Sequence, residues 1–275
     1  MAPAKRGKKD VSARAVTKSM SKVSVEEDTT DVFLFVPNLI GYARVILAAI
    51  SLYYMRDNPK VCTVLYCVSC MLDAFDGMFA RRLDQATKFG AVLDMVTDRC
   101  TTSSLLCFLT AAYPRCALLF QGLITLDFSS HYIHMYTTLV AGSKSHKIVD
   151  SEVSKILSLY YTDNRVLFIF CACNEIFFVC LYLMDFYKQP LELQIAPLLP
   201  HAMLKAIYAD RNGLFYHAIF YYIPSLTWPQ ILGAVTLPIC AMKQAINAVQ
   251  FWKAAKRLAE IDCEERSQRR AKHIK

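Results

Sequence analysis

Four aspartates stand among two glycines, an alanine and an arginine in the order Asp73-x-x-Asp76-Gly77-x-x-Ala80-Arg81, followed by Gly90-x-x-x-Asp94-x-x-x-Asp98. The surrounding segments are apolar enough to span a membrane, where a carboxylate costs roughly 2.5–3.5 kcal/mol on insertion scales. Four left bare would cost on the order of 10 kcal/mol, comparable to the net stability of a whole domain. Bound cations must therefore compensate them, and carboxylates converging on cations make a reaction centre or an ion site. Oxygen ligands without His or Cys suit Mg²⁺ or Mn²⁺ rather than zinc.

Helical spacing supports convergence. Asp73, Asp76, Gly77 and Ala80 fall at i, i+3, i+4 and i+7, and Gly90, Asp94 and Asp98 at i, i+4 and i+8. Each set lies on one helix face. Two helices would each present a carboxylate pair beside residues with almost no side chain, which lets a flat or bulky ligand approach the backbone. Arg81 follows about one turn after Asp76, where a guanidinium can grip a phosphate in a fork.

The elements that carry these residues are membrane helices. The chain has 275 residues, 55% of them hydrophobic, and a positive mean hydropathy. We expect an all-α polytopic protein of about six spans. They run approximately over Leu39–Met55, Val61–Phe79, Ala91–Tyr113, Ala117–Val140, Val166–Phe186 and Pro229–Phe251. Residues 1–31 form a basic then acidic hydrophilic tail whose composition predicts disorder, and 253–275 form a second basic tail. Positive residues favour the cytoplasmic side, so both tails and the motif's mouth are expected there. The net charge of +8 fits this topology and anionic headgroups, and no nucleic-acid-binding motif is present. Eleven cysteines lie mostly within apolar spans without zinc spacing, and read as packing residues.

The aspartate pattern resembles the signature of the CDP-alcohol phosphotransferase family at every motif position. That resemblance implies a helical membrane enzyme, commonly a homodimer, that transfers a substituted phosphoryl group from a CDP-linked donor to an alcohol and releases CMP. It implies that Asp73, Asp76 and Asp94 hold two divalent cations, Mg²⁺ or Mn²⁺. Asp98 would be a further ligand, the general base, or both. Asp73, Gly77, Ala80 and Gly90 would receive the CDP group, and Arg81 would contact the pyrophosphate. The opening Pro37-Asn38-x-x-Gly41-x-x-Arg44 is similar to one common in the family. Asn38 and Arg44 would reach phosphate oxygens or the aspartates.

The likeness sharpens toward eukaryotic phosphatidylinositol synthases. It is carried by Phe33 to Arg44, by Gly142-Ser143-x-Ser145-His146-Lys147, by Tyr160-Tyr161-Thr162 and by Cys173-Asn174-Glu175-Ile176-Phe177. It covers roughly Phe33 to Met184 and is patchy afterwards. The donor would be CDP-diacylglycerol and the acceptor myo-inositol, in the endoplasmic reticulum membrane. A neutral polyol calls for hydrogen-bonding groups, for which Asn174 and Glu175 are candidates, with His131, His134, Ser145, His146 and Lys147 behind them. The connection at 187–228, which includes Pro190, Pro197 and Pro200, is longer than this resemblance implies. It is expected to be lumenal or interfacial. The alternatives are the same reaction with glycerol 3-phosphate, serine, choline or ethanolamine and, more remotely, an ion-coupled transporter.

Overall fold

The computed structural model describes residues 31–141 and 164–273, and among them there are helices and turns but no strand. The long helices are α1 (Val36–Tyr53), α2 (Pro59–Arg82), α3 (Lys88–Ala112), α4 (Ala117–Ala141) and α5 (Asn164–Phe186). Two short ones follow, α6 (His201–Ala209) and α7 (Leu214–His217), and then α8 (Trp228–His273). The chain divides into two compact units, Met1–Cys100 and Thr101–Lys275.

In the first unit the helix starts are written into the sequence. Pro37 occupies the first turn of α1. The Asn58 side chain accepts the Val61 N–H at 3.3 Å, with Pro59 next in line, opening α2. Thr87 Oγ1 accepts the Gly90 N–H at 3.0 Å, at the start of α3. Between α2 and α3 the chain turns through Asp84 at φ 54°, a left-handed conformation that Asp tolerates better than most residues. Ser51 Oγ donates to Cys62 O at 2.9 Å, and Ser69 Oγ to Arg44 O at 3.1 Å, tying α1 to α2 at two levels. Small polar residues are effective ties where lipid removes the hydrophobic drive for helices to associate.

The second unit packs α8 against α4 and α5. Leu105, Leu106, Leu109, Phe120, Phe178 and Tyr182 are buried. Tyr113 Oη donates to Leu181 O at 2.8 Å, and Thr137 Oγ1 to Ala254 O at 3.3 Å.

Across both units the burial pattern is that of a protein whose solvent is partly lipid. Ile46, Val64, Met71, Leu118 and Leu119 are exposed, whereas Ser51, Ser69, Ser130, Asn174 and Asn247 are buried. Among the described residues, four helices are long and apolar enough to cross a membrane: Val36–Tyr53, Pro59–Arg82, Arg165–Phe186 and Trp228–Lys272. The expected count was about six. The other two long helices, α3 and α4, have 25 residues each but are diluted by polar side chains. Those are Asp94, Asp98, Arg99 and a Thr/Ser run in α3, and Asp127, Ser130, His131 and His134 in α4.

Two further points go beyond the sequence reading. The basic C-terminal segment continues α8 as one 46-residue helix with Pro238 inside it. Charges one turn apart support that extension, with Arg257 3.1 Å from Glu260 and Arg269 3.4 Å from Glu265. The connection after α5 holds a 3₁₀ turn over Ala196–Leu198, the nine-residue α6, the four-residue α7 and a π turn over Ala218–Tyr222. None of them approaches the roughly twenty residues that a span needs. The N-terminal tail up to residue 30 lies outside the described residues.

Candidate active site

The C-terminal half of α2 and the N-terminal half of α3 bring Asp73, Asp76, Asp94 and Asp98 around one guanidinium from α1. Arg44, 2% exposed, projects from the middle of α1. Its Nη1 lies 2.8 Å from Asp76 and 2.6 Å from Asp94, and its Nη2 2.7 Å from Asp73 and 2.5 Å from Asp98. The second oxygen of Asp98 lies 3.4 Å from Arg99. Two guanidiniums against four carboxylates leave two negative charges, so the protein supplies part of the compensation that the sequence assigned to bound cations.

The remaining charge suits a hard cation. Oxygens of Asp73, Asp76 and Asp94 lie within 4.8 Å of one another, close enough for small shifts to place them around an ion that binds oxygen at about 2.0–2.1 Å. The donor set is all carboxylate, as Mg²⁺ or Mn²⁺ prefers. The side chains of Asp73 and Asp94 are 41% and 46% exposed, which leaves both open to further ligands. Asp76, at 11%, is sunk beside Arg44.

Next to the carboxylates is a cleft of about 200 Å³, lined by Asn38, Gly77, Ala80, Arg81, Gly90 and Asp94 among others. Its shape depends on small residues. A β-carbon on Gly90 would stand 2.8 Å from Asn38 Oδ1, and one on Gly41 2.9 Å from Leu93. Arg81 folds back so that its Nη1 lies 3.4 Å from where a Gly77 β-carbon would be. Asn38 is held by donation to Val32 O at 2.5 Å. Gln85 and Thr87, which sequence reasoning passed over, also line the cleft. Gln85 Oε1 accepts the Val36 N–H at 3.1 Å, joining the α2–α3 turn to the start of α1. Their signal was only proximity to the motif.

The second unit holds a separate buried polar network. Asn174 Nδ2 donates to Glu175 Oε1 at 3.2 Å, and so does Thr102 Oγ1 at 3.0 Å. Asn174 Oδ1 accepts from Gln244 at 2.8 Å and from Cys240 at 3.3 Å. His131 Nδ1 lies 3.5 Å from Asp127 Oδ1. His134 is exposed on α4 and is not drawn into this network. Ser145, His146 and Lys147 lie outside the described residues.

The family model described as CDP-alcohol phosphatidyltransferase matches residues 34–186. The chain belongs to the CDP-alcohol phosphatidyltransferase family. All four aspartates, Arg44 and the cleft residues lie within that match. Relatives extend the likeness further. A Schizosaccharomyces pombe protein named CDP-diacylglycerol–inositol 3-phosphatidyltransferase is 50% identical over 242 residues, covering 88% of this chain and 95% of its own. Proteins of the same name are 39% identical in Candida albicans, over 94% of this chain and 99% of theirs. The corresponding figures in Homo sapiens are 39%, 87% and 98%. No solved structure matches. Coverage of 94% cannot be reached without most of 187–275, so the likeness, read from the sequence as patchy after Met184, continues through that region. The connection and α8 belong to it within this branch of the CDP-alcohol phosphatidyltransferases.

Proposed function

We propose that this protein transfers the phosphatidyl group of CDP-diacylglycerol to myo-inositol, giving phosphatidylinositol and CMP. The observation that carries this reading is the 50% identity to a protein named for that reaction over nearly the whole of both chains. The aspartate cluster and cleft supply the chemistry the reaction needs. Asp73, Asp76 and Asp94 would hold two divalent cations, Mg²⁺ or Mn²⁺, with Asp98 as a further carboxylate on the same Arg44. Bound there, such ions neutralise the pyrophosphate and the charge developing on departing CMP.

The chain's own residues do the rest. Gly77, Ala80 and Gly90 keep the cleft open for the cytidine nucleotide, and Asn38 and Arg81 donate to it at the rim. Arg44 holds the four carboxylates in register and offsets their mutual repulsion. In the displacement, the inositol hydroxyl oxygen bonds to the donor's phosphatidyl phosphorus and the bond from that phosphorus to the CMP oxygen breaks. Asp98 takes the hydroxyl proton. Asn174 and Glu175 contribute hydrogen bonds to the acceptor, with His131 behind them. Six spans, cytoplasmic termini, a homodimer and residence in the endoplasmic reticulum complete the reading.

The test is CMP release from CDP-diacylglycerol by protein in detergent–lipid micelles with Mn²⁺ or Mg²⁺. Metal-dependent release with myo-inositol, and not with serine or glycerol 3-phosphate, is expected. Release with another alcohol instead would move the protein to a different acceptor within its family.

A further inference from the structure

The polar network in the second unit is unfinished in one place. Cys240, Lys243, Gln244 and Asn247 follow at i, i+3, i+4 and i+7 along α8, forming one face. That face is turned inward. Cys240 and Gln244 donate to Asn174 on α5, and Asn247 Nδ2 donates to Asp127 Oδ1 on α4 at 3.4 Å. Asn247 is 1% exposed and Lys243 3%. The Asn247 carbonyl oxygen is fully buried with no donor. Among the described residues the Lys243 ammonium has neither hydrogen bond nor ion pair.

A network built only to join helices satisfies its own members, because an unmet buried polar group costs stability without return. Here a buried acceptor without a donor, Asn247 Oδ1, stands one turn from the Lys243 ammonium, whose nitrogen keeps some access to solvent. A hydroxyl group answers both, accepting from the ammonium and donating to the amide oxygen. Molecules with several hydroxyls can do so while also meeting Asp127, Asn174 and Glu175. Charge narrows the choice further. Lys243 is outnumbered by Asp127 and Glu175, which disfavours a phosphorylated acceptor, and its own charge disfavours an acceptor bearing an ammonium.

We infer that the inward face of α8 carrying Lys243 and Asn247 forms, with Asp127, Asn174 and Glu175, a binding subsite for a neutral polyol acceptor. This rests on the proposed use of myo-inositol and deepens it by adding a specificity element from the C-terminal helix. Lys243 and Asn247 are binding residues here and take no part in bond-making.

The experiment uses the full chain in detergent–lipid micelles with CDP-diacylglycerol and Mn²⁺, comparing wild type with the double variant Lys243→Met/Asn247→Leu. The variant also removes the Asn247 donation to the buried Asp127 carboxylate, so a merely structural role predicts lower thermal stability with an unchanged KM for inositol. The subsite predicts at least a tenfold rise in that KM, with the KM for CDP-diacylglycerol and the affinity for CMP within twofold of wild type. Should the double variant fail to accumulate, the single variants Asn247→Ser and Lys243→Met are read the same way, with equilibrium binding of labelled myo-inositol alongside. An unchanged inositol KM in variants of an inositol-using wild type overturns this inference alone. A wild type that does not use inositol overturns the functional proposal beneath it.

Discussion

Asn38 Oδ1 stands 2.8 Å from the point where a β-carbon would sit on Gly90. Both partners are constrained, since Asn38 is 2% exposed and tethered to Val32 O, while Gly90 opens α3 through its bond to Thr87. Neither can retreat cheaply, so the contact sets the width of the cleft. Gly90→Ala should therefore push Asn38 out of place and narrow the nucleotide site. The expected outcome is a tenfold or larger fall in kcat/KM for CDP-diacylglycerol, about 1.4 kcal/mol or more, with thermal stability lowered only modestly. CMP affinity measured with Mn²⁺ should fall in parallel, and normal CMP affinity would show that the contact does not shape the site.

Arg44 is the only side chain described within ion-pair distance of all four aspartates. Removing one partner of a buried charge network typically costs 3–5 kcal/mol. Arg44→Gln should lower stability by about that much, read as a fall in the thermal unfolding midpoint of detergent-solubilised protein, together with near-complete loss of CMP release. Arg44→Lys should recover part of the stability and little activity, because one ammonium cannot span carboxylates served by two separate guanidinium nitrogens. Equal behaviour of the two variants would mean that only the charge matters.

The aspartates were legible because helix geometry turns each spacing into a face, whereas the meeting of the two faces around Arg44 is a matter of tertiary packing. Arg44 was less so. An arginine near a span's end reads equally as a snorkelling residue, and only the packing of α1 against α2, fixed by Ser51 and Ser69, turns it inward. The residues Lys243 and Asn247 escaped notice because α8 is long and weakly apolar, so scattered polar groups looked like dilution. What reveals them as one face is the pair of bonds from Cys240 and Gln244 to Asn174. The helical course of the C-terminal segment was hidden for a related reason. Its charges mark a cytoplasmic flank by sign alone, while their i, i+3 and i, i+4 pairing also supports a helix.

That pairing is expected to matter little energetically. The Arg257 contacts to Glu260 and Glu264, at 3.1 and 3.9 Å, are partly exposed, and exposed pairs contribute about 0–1 kcal/mol. Arg257→Ala should leave CMP release within twofold of wild type and shift the unfolding midpoint by no more than a few degrees. A large loss of activity would assign this extension a role beyond continuing α8.

Asp94 and Asp98 are separated by one turn of α3 but engaged differently, and that difference predicts different phenotypes. Asp94 lines the cleft, is nearly half exposed and belongs to the cluster able to hold a cation. Asp98 lies deeper along α3, with one oxygen on Arg44 and the other 3.4 Å from Arg99. Asp94→Asn should abolish both turnover and metal-dependent binding of CMP, leaving a folded protein, and chelation of wild type with EDTA should reproduce that loss reversibly. Asp98→Asn should keep metal-dependent CMP binding within a few-fold while kcat falls by 10²–10⁴, the usual contribution of a proton-transfer group. Loss of CMP binding in Asp98→Asn, in step with Asp94→Asn, would make Asp98 a cation ligand and return the search for the base to the remaining carboxylates.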